Sequence, residues 1–231
     1  MKKLRIVNMF FKSLFLSNYF GFRGKILSFL KKDTIEFKKL RLSFADTILN
    51  SLSLKVYIYN KNKIPKNGSF LVIVNHRGIL DPLIVEKVFE KSDIFGHWVA
   101  KKELYNSIFF GTFVRNTKTI KVDRDTSNQK DFFKEVSSVF NKNESVFIFP
   151  EGTRNKTNDK IKEFKRGFNL ISKRNKINIL PLYIRDRTDR ELKNSLSSNK
   201  YSSNVEVIVG DLISYKEKDI EGIYKTQFNI D

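Results

Sequence analysis

The sequence predicts an α/β fold, a largely parallel mixed sheet flanked by helices, preceded by an N-terminal amphipathic helical segment. Short apolar runs recur along the chain with helical-period segments between them. Strands spaced by helices need crossover connections, which make neighbouring strands parallel and cover both faces of the sheet. The first 32 residues break this pattern, because basic residues are interleaved there with large apolar ones. A chain of 231 residues suits one ordinary domain with a short appended segment.

In residues 1–32, Leu4, Val7, Phe10, Phe11, Leu14 and Phe15 fall on one side of a helix. Lys2, Arg5 and Lys12 gather opposite, with Lys3 the exception. The longest uncharged run, residues 13–22, is far below the roughly 20 apolar residues of a spanning helix, so no transmembrane anchor is expected. Lys12 interrupts the apolar region and no small-residue cleavage pattern follows, which argues against a signal peptide. The stretch reads as an interfacial helix or helical hairpin lying on a membrane surface, as opposed to a helix packed on its own domain.

Residues 33–54 follow as a helix through Leu40, Phe44, Ala45, Ile48 and Leu49, and 55–59 as a short strand ending in the turn signals of 60–68. Residues 70–74 suit a buried strand, and 82–89 a helix with Asp81 as cap and Pro82 at its first position. Further strands are expected at 119–122, 145–149, 177–184 and 205–209, with helices at 131–140 and 165–173. The polar, Ser-rich stretch 186–204 reads as a loop. The expected organisation is an N-terminal helical membrane-associating segment over 1–50 and a catalytic domain over 51–231.

Lys and Arg number 44 against 25 acidic residues, and the net charge of +19 favours a polyanionic partner. Charge alone does not choose between nucleic acid and anionic lipid, but the amphipathic N-terminus points to an anionic membrane surface. A nucleic-acid-binding module would use the same charge, with Phe and Tyr stacking on bases. The sequence shows no helix-turn-helix pairing, zinc spacing or aromatic sheet motif, so no nucleic-acid partner is expected. The absence of Cys removes disulfides, zinc-thiolate sites and cysteine nucleophiles, and fits a reducing cytoplasm.

Two clusters carry candidate chemistry, both at the ends of apolar strands, where open α/β sheets place ligands. The first runs from Asn75 through His76, Arg77 and Gly78 to Asp81 and Pro82. A short loop can fold the Asp81 carboxylate back onto the His76 imidazole, giving a base with an orienting partner. No Cys or Ser lies in the loop, so a substrate hydroxyl deprotonated by His76 is simpler than a covalent intermediate. The second cluster is Phe149-Pro150-Glu151-Gly152-Thr153-Arg154. Glu151 could accept a hydrogen bond from a hydroxyl, and the Arg154 fork matches phosphate oxygens. Simpler roles also fit: Asp81 as a helix cap, Asn75 as a turn residue, and Glu151 with Arg154 as a charged turn. His97, between Gly96 and Trp98, reads as structural. No residue pattern demands a metal or a cofactor.

Asn75-His76 followed after four residues by Asp81, with Phe149-Pro150-Glu151-Gly152-Thr153-Arg154 downstream, resembles the glycerolipid acyltransferase superfamily, specifically the bacterial 1-acylglycerol-3-phosphate acyltransferases. The resemblance runs from about residue 55 to about 213. It takes in Ala100-Lys101-Lys102-Glu103-Leu104, Arg124, Phe164-Lys165-Arg166-Gly167, Pro181 and Val207-Ile208-Val209-Gly210. It implies direct acyl transfer from acyl-CoA or acyl carrier protein to lysophosphatidic acid, by an enzyme peripheral on the cytoplasmic face of the cell membrane. His76 would be the base and Asp81 its partner. Glu151, Gly152, Thr153 and Arg154 would shape the acceptor site, and Arg124 would bind the phosphate, with Arg115 as alternative. Glycerol-3-phosphate or another lysolipid is the alternative acceptor. The chain departs from the family at Gly78, where Ser is usual, and fits the block around residues 110–124 loosely.

Overall fold

The computed structural model describes residues 2–125, 129–198 and 201–230. Met1 and the Lys2 side chain of the N-terminal reading, and residues 199 and 200 of the stretch read as a loop, lie outside the described residues.

Two helices open the chain, α1 (Lys2–Phe29) and α2 (Thr34–Ser51). Asp33 caps α2 by accepting a hydrogen bond from the Glu36 amide at 3.2 Å, and Ser53 ends it with a left-handed φ of 54°. The strands are β1 (Leu54–Tyr59), β2 (Leu71–Val74), β3 (Gly96–Lys101), β4 (Ile120–Val122), β5 (Ser145–Ile148), β6 (Ile179–Ile184) and β7 (Ser203–Val209). Between and after them lie α3 (Asp81–Val88), α4 (Lys102–Tyr105), α5 (Gly111–Asn116), α6 (Lys130–Asn141), α7 (Gly167–Asn175), α8 (Thr188–Ser197) and α9 (Ile220–Gln227).

The strands form one sheet in the order β1-β7-β6-β2-β5-β3-β4. Every neighbouring pair is parallel except β6 with β7. The expected largely parallel mixed sheet is therefore the observed one. Its central strands are apolar on both sides. Val72 and Val74 of β2 join one core with α2, α3 and α8, whereas Leu71 and Ile73 join the other with α6, α7 and α9. This two-sided burial is why these strands are continuous apolar runs.

The sequence expectation lacks β3, α4, α5, α8 and α9. The stretch read as a loop contains α8, because Leu192 and Leu196 pack on the core and the buried Ser195 hydroxyl donates to the Leu52 carbonyl at 2.6 Å. Strand β3 carries Gly96, His97 and terminal Lys101, which mask its buried character. His97 itself is structural: it is buried, and its Nε2 lies 2.7 Å from Glu144 Oε2. The division at residue 50 cuts through packing, since Phe44, Ile48 and Leu49 of α2 belong to the same core as the strands.

Helix α1 has two apolar faces where one was expected. Leu16, Phe20 and Leu27 face the domain, and Gly21 and Gly24 lie on the same side against α5. A Cβ on Gly24 would sit 2.3 Å from the Asn116 carbonyl oxygen, so only glycine allows this approach. On the opposite side Leu4, Val7, Phe11, Phe15, Phe22, Ile26 and Phe29 are exposed. Lys12 is bonded to Ser51 Oγ at 2.6 Å, so the basic residues do not own a face of their own. Among the described residues, no helix is long and apolar enough to cross a membrane.

Candidate active site

Strands β2 and β5 run side by side, with Leu71 opposite Val146 and Ile73 opposite Ile148, so the loops after them leave the sheet at the same end. Asn75 prolongs the ladder beyond β2. Its Nδ2 donates to the Ile184 carbonyl at 2.9 Å, and its Oδ1 accepts from the Ile184 amide at 2.7 Å. The loop is thereby pinned to the end of β6, and His76 is delivered directly beyond the sheet.

The His76 main chain is held on both sides by the second loop. Its amide donates to Glu151 Oε1 at 2.7 Å, and its carbonyl accepts from the Asn155 amide at 2.6 Å. The imidazole stacks on Phe149 with centroids 3.8 Å apart and planes 10° from parallel, and Phe149 in turn stacks on Trp98. With backbone and ring both fixed, Nδ1 meets Asp81 Oδ2 at 2.8 Å. The imidazole makes no hydrogen bond at Nε2 among the described residues, and the side chain is 17% exposed. The ring thus has one nitrogen assigned to a carboxylate and the other available to a substrate.

Asp81 is fully buried and is not the helix cap expected from its position. It is the first residue of α3, and its carboxylate turns back into the loop. Oδ2 accepts from the Arg77 amide at 2.6 Å and the Gly78 amide at 2.8 Å as well as facing His76, while Oδ1 accepts from the Thr188 hydroxyl. Four donors on one carboxylate compensate its burial and fix its plane.

Glu151 is placed differently from the sequence expectation. It is 1% exposed, and its two oxygens accept from the amides of His76 and Lys162. It therefore shapes the loop that carries His76 and has no open face toward a substrate hydroxyl. Burial pushes its carboxyl up to about 7, although the two amide donors pull the other way. Gly152 takes a left-handed φ of 71°, and its carbonyl accepts from Arg124 Nη1 at 2.8 Å. Arg124, expected at a phosphate, thus braces the loop through one nitrogen. Thr153 and Arg154 are exposed, and the Arg154 guanidinium has no protein partner among the described residues. Arg115 donates to the Tyr105 carbonyl within the α4–α5 turn.

Sequence reasoning missed Phe149 as the stacking platform, Asn155 as the clamp on the His76 carbonyl, and Thr188. A signal for Thr188 existed. Thr188-Asp189-Arg190-Glu191 ahead of Leu192 has the spacing of a capping box, which marks a helix start inside the stretch read as a loop. Among the described residues, no group of three or more His, Asp or Glu converges as a metal site.

An imidazole oriented by a buried carboxylate at the carboxyl end of a parallel strand, beside a loop that presents an exposed guanidinium, can serve as a general base next to an anionic group. The comparisons with known proteins make the class specific. The chain belongs to the Acyltransferase family, whose pattern matches residues 55–185, more than half of its length. It is similar to the 1-acyl-sn-glycerol-3-phosphate acyltransferase of Helicobacter pylori, with 33% identity over 118 residues, 51% of this chain and 48% of that one. It is also similar to the enzyme of that name from Bacillus subtilis, with 29% identity over 134 residues, 58% of this chain and 64% of the relative. Thus the matched region spans about half to two thirds of the length of these relatives. The fold is shared with the crystal structure of the 1-acyl-sn-glycerophosphate (LPA) acyltransferase PlsC from Thermotoga maritima. That likeness has a TM-score of 0.72 and covers 99% of this chain and 94% of that one, at 20% identity.

Proposed function

We propose that the chain transfers a fatty acyl group from an acyl thioester, acyl-CoA or acyl carrier protein, to the free sn-2 hydroxyl of 1-acyl-glycerol-3-phosphate, giving phosphatidic acid. The observation that carries this reading is the His76–Asp81 contact at 2.8 Å together with an Nε2 that makes no hydrogen bond among the described residues. Nε2 takes the hydroxyl proton as the oxygen attacks the thioester carbonyl. The tetrahedral intermediate then expels the thiolate, which recovers the proton from the imidazolium. Asp81 stabilises that imidazolium. The chain has no Cys, and the hydroxyl bonded to the pair, that of Thr188, is buried and donates to Asp81, which favours direct transfer over an acyl-enzyme. Arg154 offers its fork to the phosphomonoester of the acceptor.

The exposed stripe of α1 gives the enzyme a way to reach such substrates. Leu4, Val7, Phe11, Phe15, Phe22, Ile26 and Phe29 project from one side of a helix about 40 Å long, rimmed by Arg5, Lys12, Arg23 and Lys25. An apolar face of that size fits the headgroup and upper acyl layer of an anionic bilayer, with α1 lying in the membrane plane on the cytoplasmic face. No resident metal or cofactor takes part in this scheme.

Purified protein assayed with lysophosphatidic acid, glycerol-3-phosphate and lysophosphatidylcholine, each with acyl-CoA and with acyl carrier protein donors, tests the assignment. Phosphatidic acid formed from lysophosphatidic acid, lost on His76→Ala by a factor of about 100 or more, is the expected result. Transfer to glycerol-3-phosphate alone reassigns the acceptor, and full activity of the His76→Ala protein rejects the mechanism.

A further inference from the structure

We infer that Thr188 is a positioning residue for the His76–Asp81 pair, and that Gly78 is bare so that Thr188 can reach it. The inference rests on the acyl-transfer reading for its kinetic consequences and on geometry for its existence. Thr188 is the first residue of α8, after the N-cap Arg187, in a first turn whose amides lack helical partners. Here it is fully buried and donates to Asp81 Oδ1, across 107 residues of sequence. The other three donors, His76 Nδ1 and the amides of Arg77 and Gly78, crowd onto Oδ2. Thr188 therefore gives Oδ1 a partner of its own. Without it, a buried oxygen lacks a donor, and the carboxylate gains by rotating to share the loop amides between its two oxygens. That rotation takes Oδ2 off the imidazole.

Gly78 supplies the second half of the inference. Its φ is not in the left-handed region, so backbone conformation does not demand glycine there. Space does. A Cβ at this position would lie 2.4 Å from Thr188 Oγ1 and 2.8 Å from the Asp189 amide nitrogen. The start of α8 is seated on Gly78, and any side chain there moves the hydroxyl away from Asp81.

The test compares Thr188→Val, Thr188→Ser and Gly78→Ala with the wild-type enzyme by steady-state kinetics. The ring-nitrogen NMR of histidine-labelled protein is read alongside, which is simple because the chain has only two histidines, His76 and His97. Thr188→Val keeps the shape and removes the donor. Its kcat should fall by about tenfold or more while both KM values stay within about twofold, and the His76 ring should lose its single Nδ1–H tautomer. Thr188→Ser should keep most of kcat and the wild-type tautomer. Gly78→Ala should reproduce the kcat loss with the threonine still present. Wild-type kcat and tautomer in Thr188→Val, or in a folded Gly78→Ala protein should Thr188→Val not fold, overturns the inference. Equal impairment of the Ser and Val proteins, or a loss confined to KM, overturns it too. If the wild-type protein transfers no acyl group but the tautomer still changes in Thr188→Val, the acyl-transfer reading fails and the positioning role stands.

Discussion

Replacing Asp81 with asparagine separates the two tasks of this carboxylate, holding the loop and stabilising charge. The side-chain carbonyl of the introduced amide can occupy the place of Oδ2 and keep the donors at 2.8 Å, 2.6 Å and 2.8 Å from His76, Arg77 and Gly78. Its NH₂ group then takes the place of Oδ1 and donates to the Thr188 hydroxyl, which can turn to accept. Each hydrogen bond survives, so loop and tautomer should persist and the melting temperature should change little. The charge does not survive. Opposite unit charges about 4 Å apart attract by about 4 kcal/mol at an effective dielectric constant of about 20. If between half and all of the imidazolium charge is present in the transition state, the loss is about 2–4 kcal/mol, or about 30- to 1,000-fold in kcat. The assay is continuous detection of the free thiol released from acyl-CoA, at saturating lysophosphatidic acid in mixed micelles, with thermal melts run in parallel. A folded Asp81→Asn protein with kcat within about threefold of wild type refutes the reasoning, since the carboxylate would then be no more than a clasp for the loop.

Three other outcomes follow from the same geometry. Glu151 is raised to about 7 from an ordinary value of 4.5, so its contribution is fully present below about 4.5 and is lost as pH rises through about 7, by up to about 3 kcal/mol. Urea unfolding across this range should show the wild type losing stability relative to Glu151→Gln, and parallel curves would contradict the assignment. Gly152→Ala forces a left-handed alanine whose Cβ lies 2.9 Å from Arg124 Nη1; the melting temperature should drop by about 2–6 °C, and an unchanged melt would show that the loop has another conformation available. Arg154→Ala should raise KM for lysophosphatidic acid by about tenfold or more with kcat within about threefold, whereas a change only in the KM of the acyl donor would move Arg154 out of the acceptor site.

Much of this fold was legible because its signals are local. The runs at residues 70–74, 145–149 and 177–184 are buried on both faces in β2, β5 and β6, and a strand buried on both faces must be apolar at nearly every position. Strand β3 escaped because Gly96 exists to admit the Phe147 ring and His97 to pair with Glu144, which are reasons that lie in other elements. Helix α1 reads as amphipathic, but its inner face sets Leu16, Phe20 and Leu27 beside Gly21 and Gly24, two residues that look neutral in a sequence and acquire meaning only when α5 lies against them.

By itself the sequence determined the alternation of strands and helices and the ends at which His76, Asp81, Glu151 and Arg154 emerge, because periodicity and short spacing act between residues close along the chain. The tertiary structure decided what those groups do. Glu151 reaches the His76 amide across 75 residues and Thr188 reaches Asp81 across 107, so the use of each carboxylate oxygen is set by which distant donor folding brings to it. A carboxylate buried at a strand end must be satisfied by whatever donors are there, and their identity depends on sheet order and helix packing, which no local pattern records.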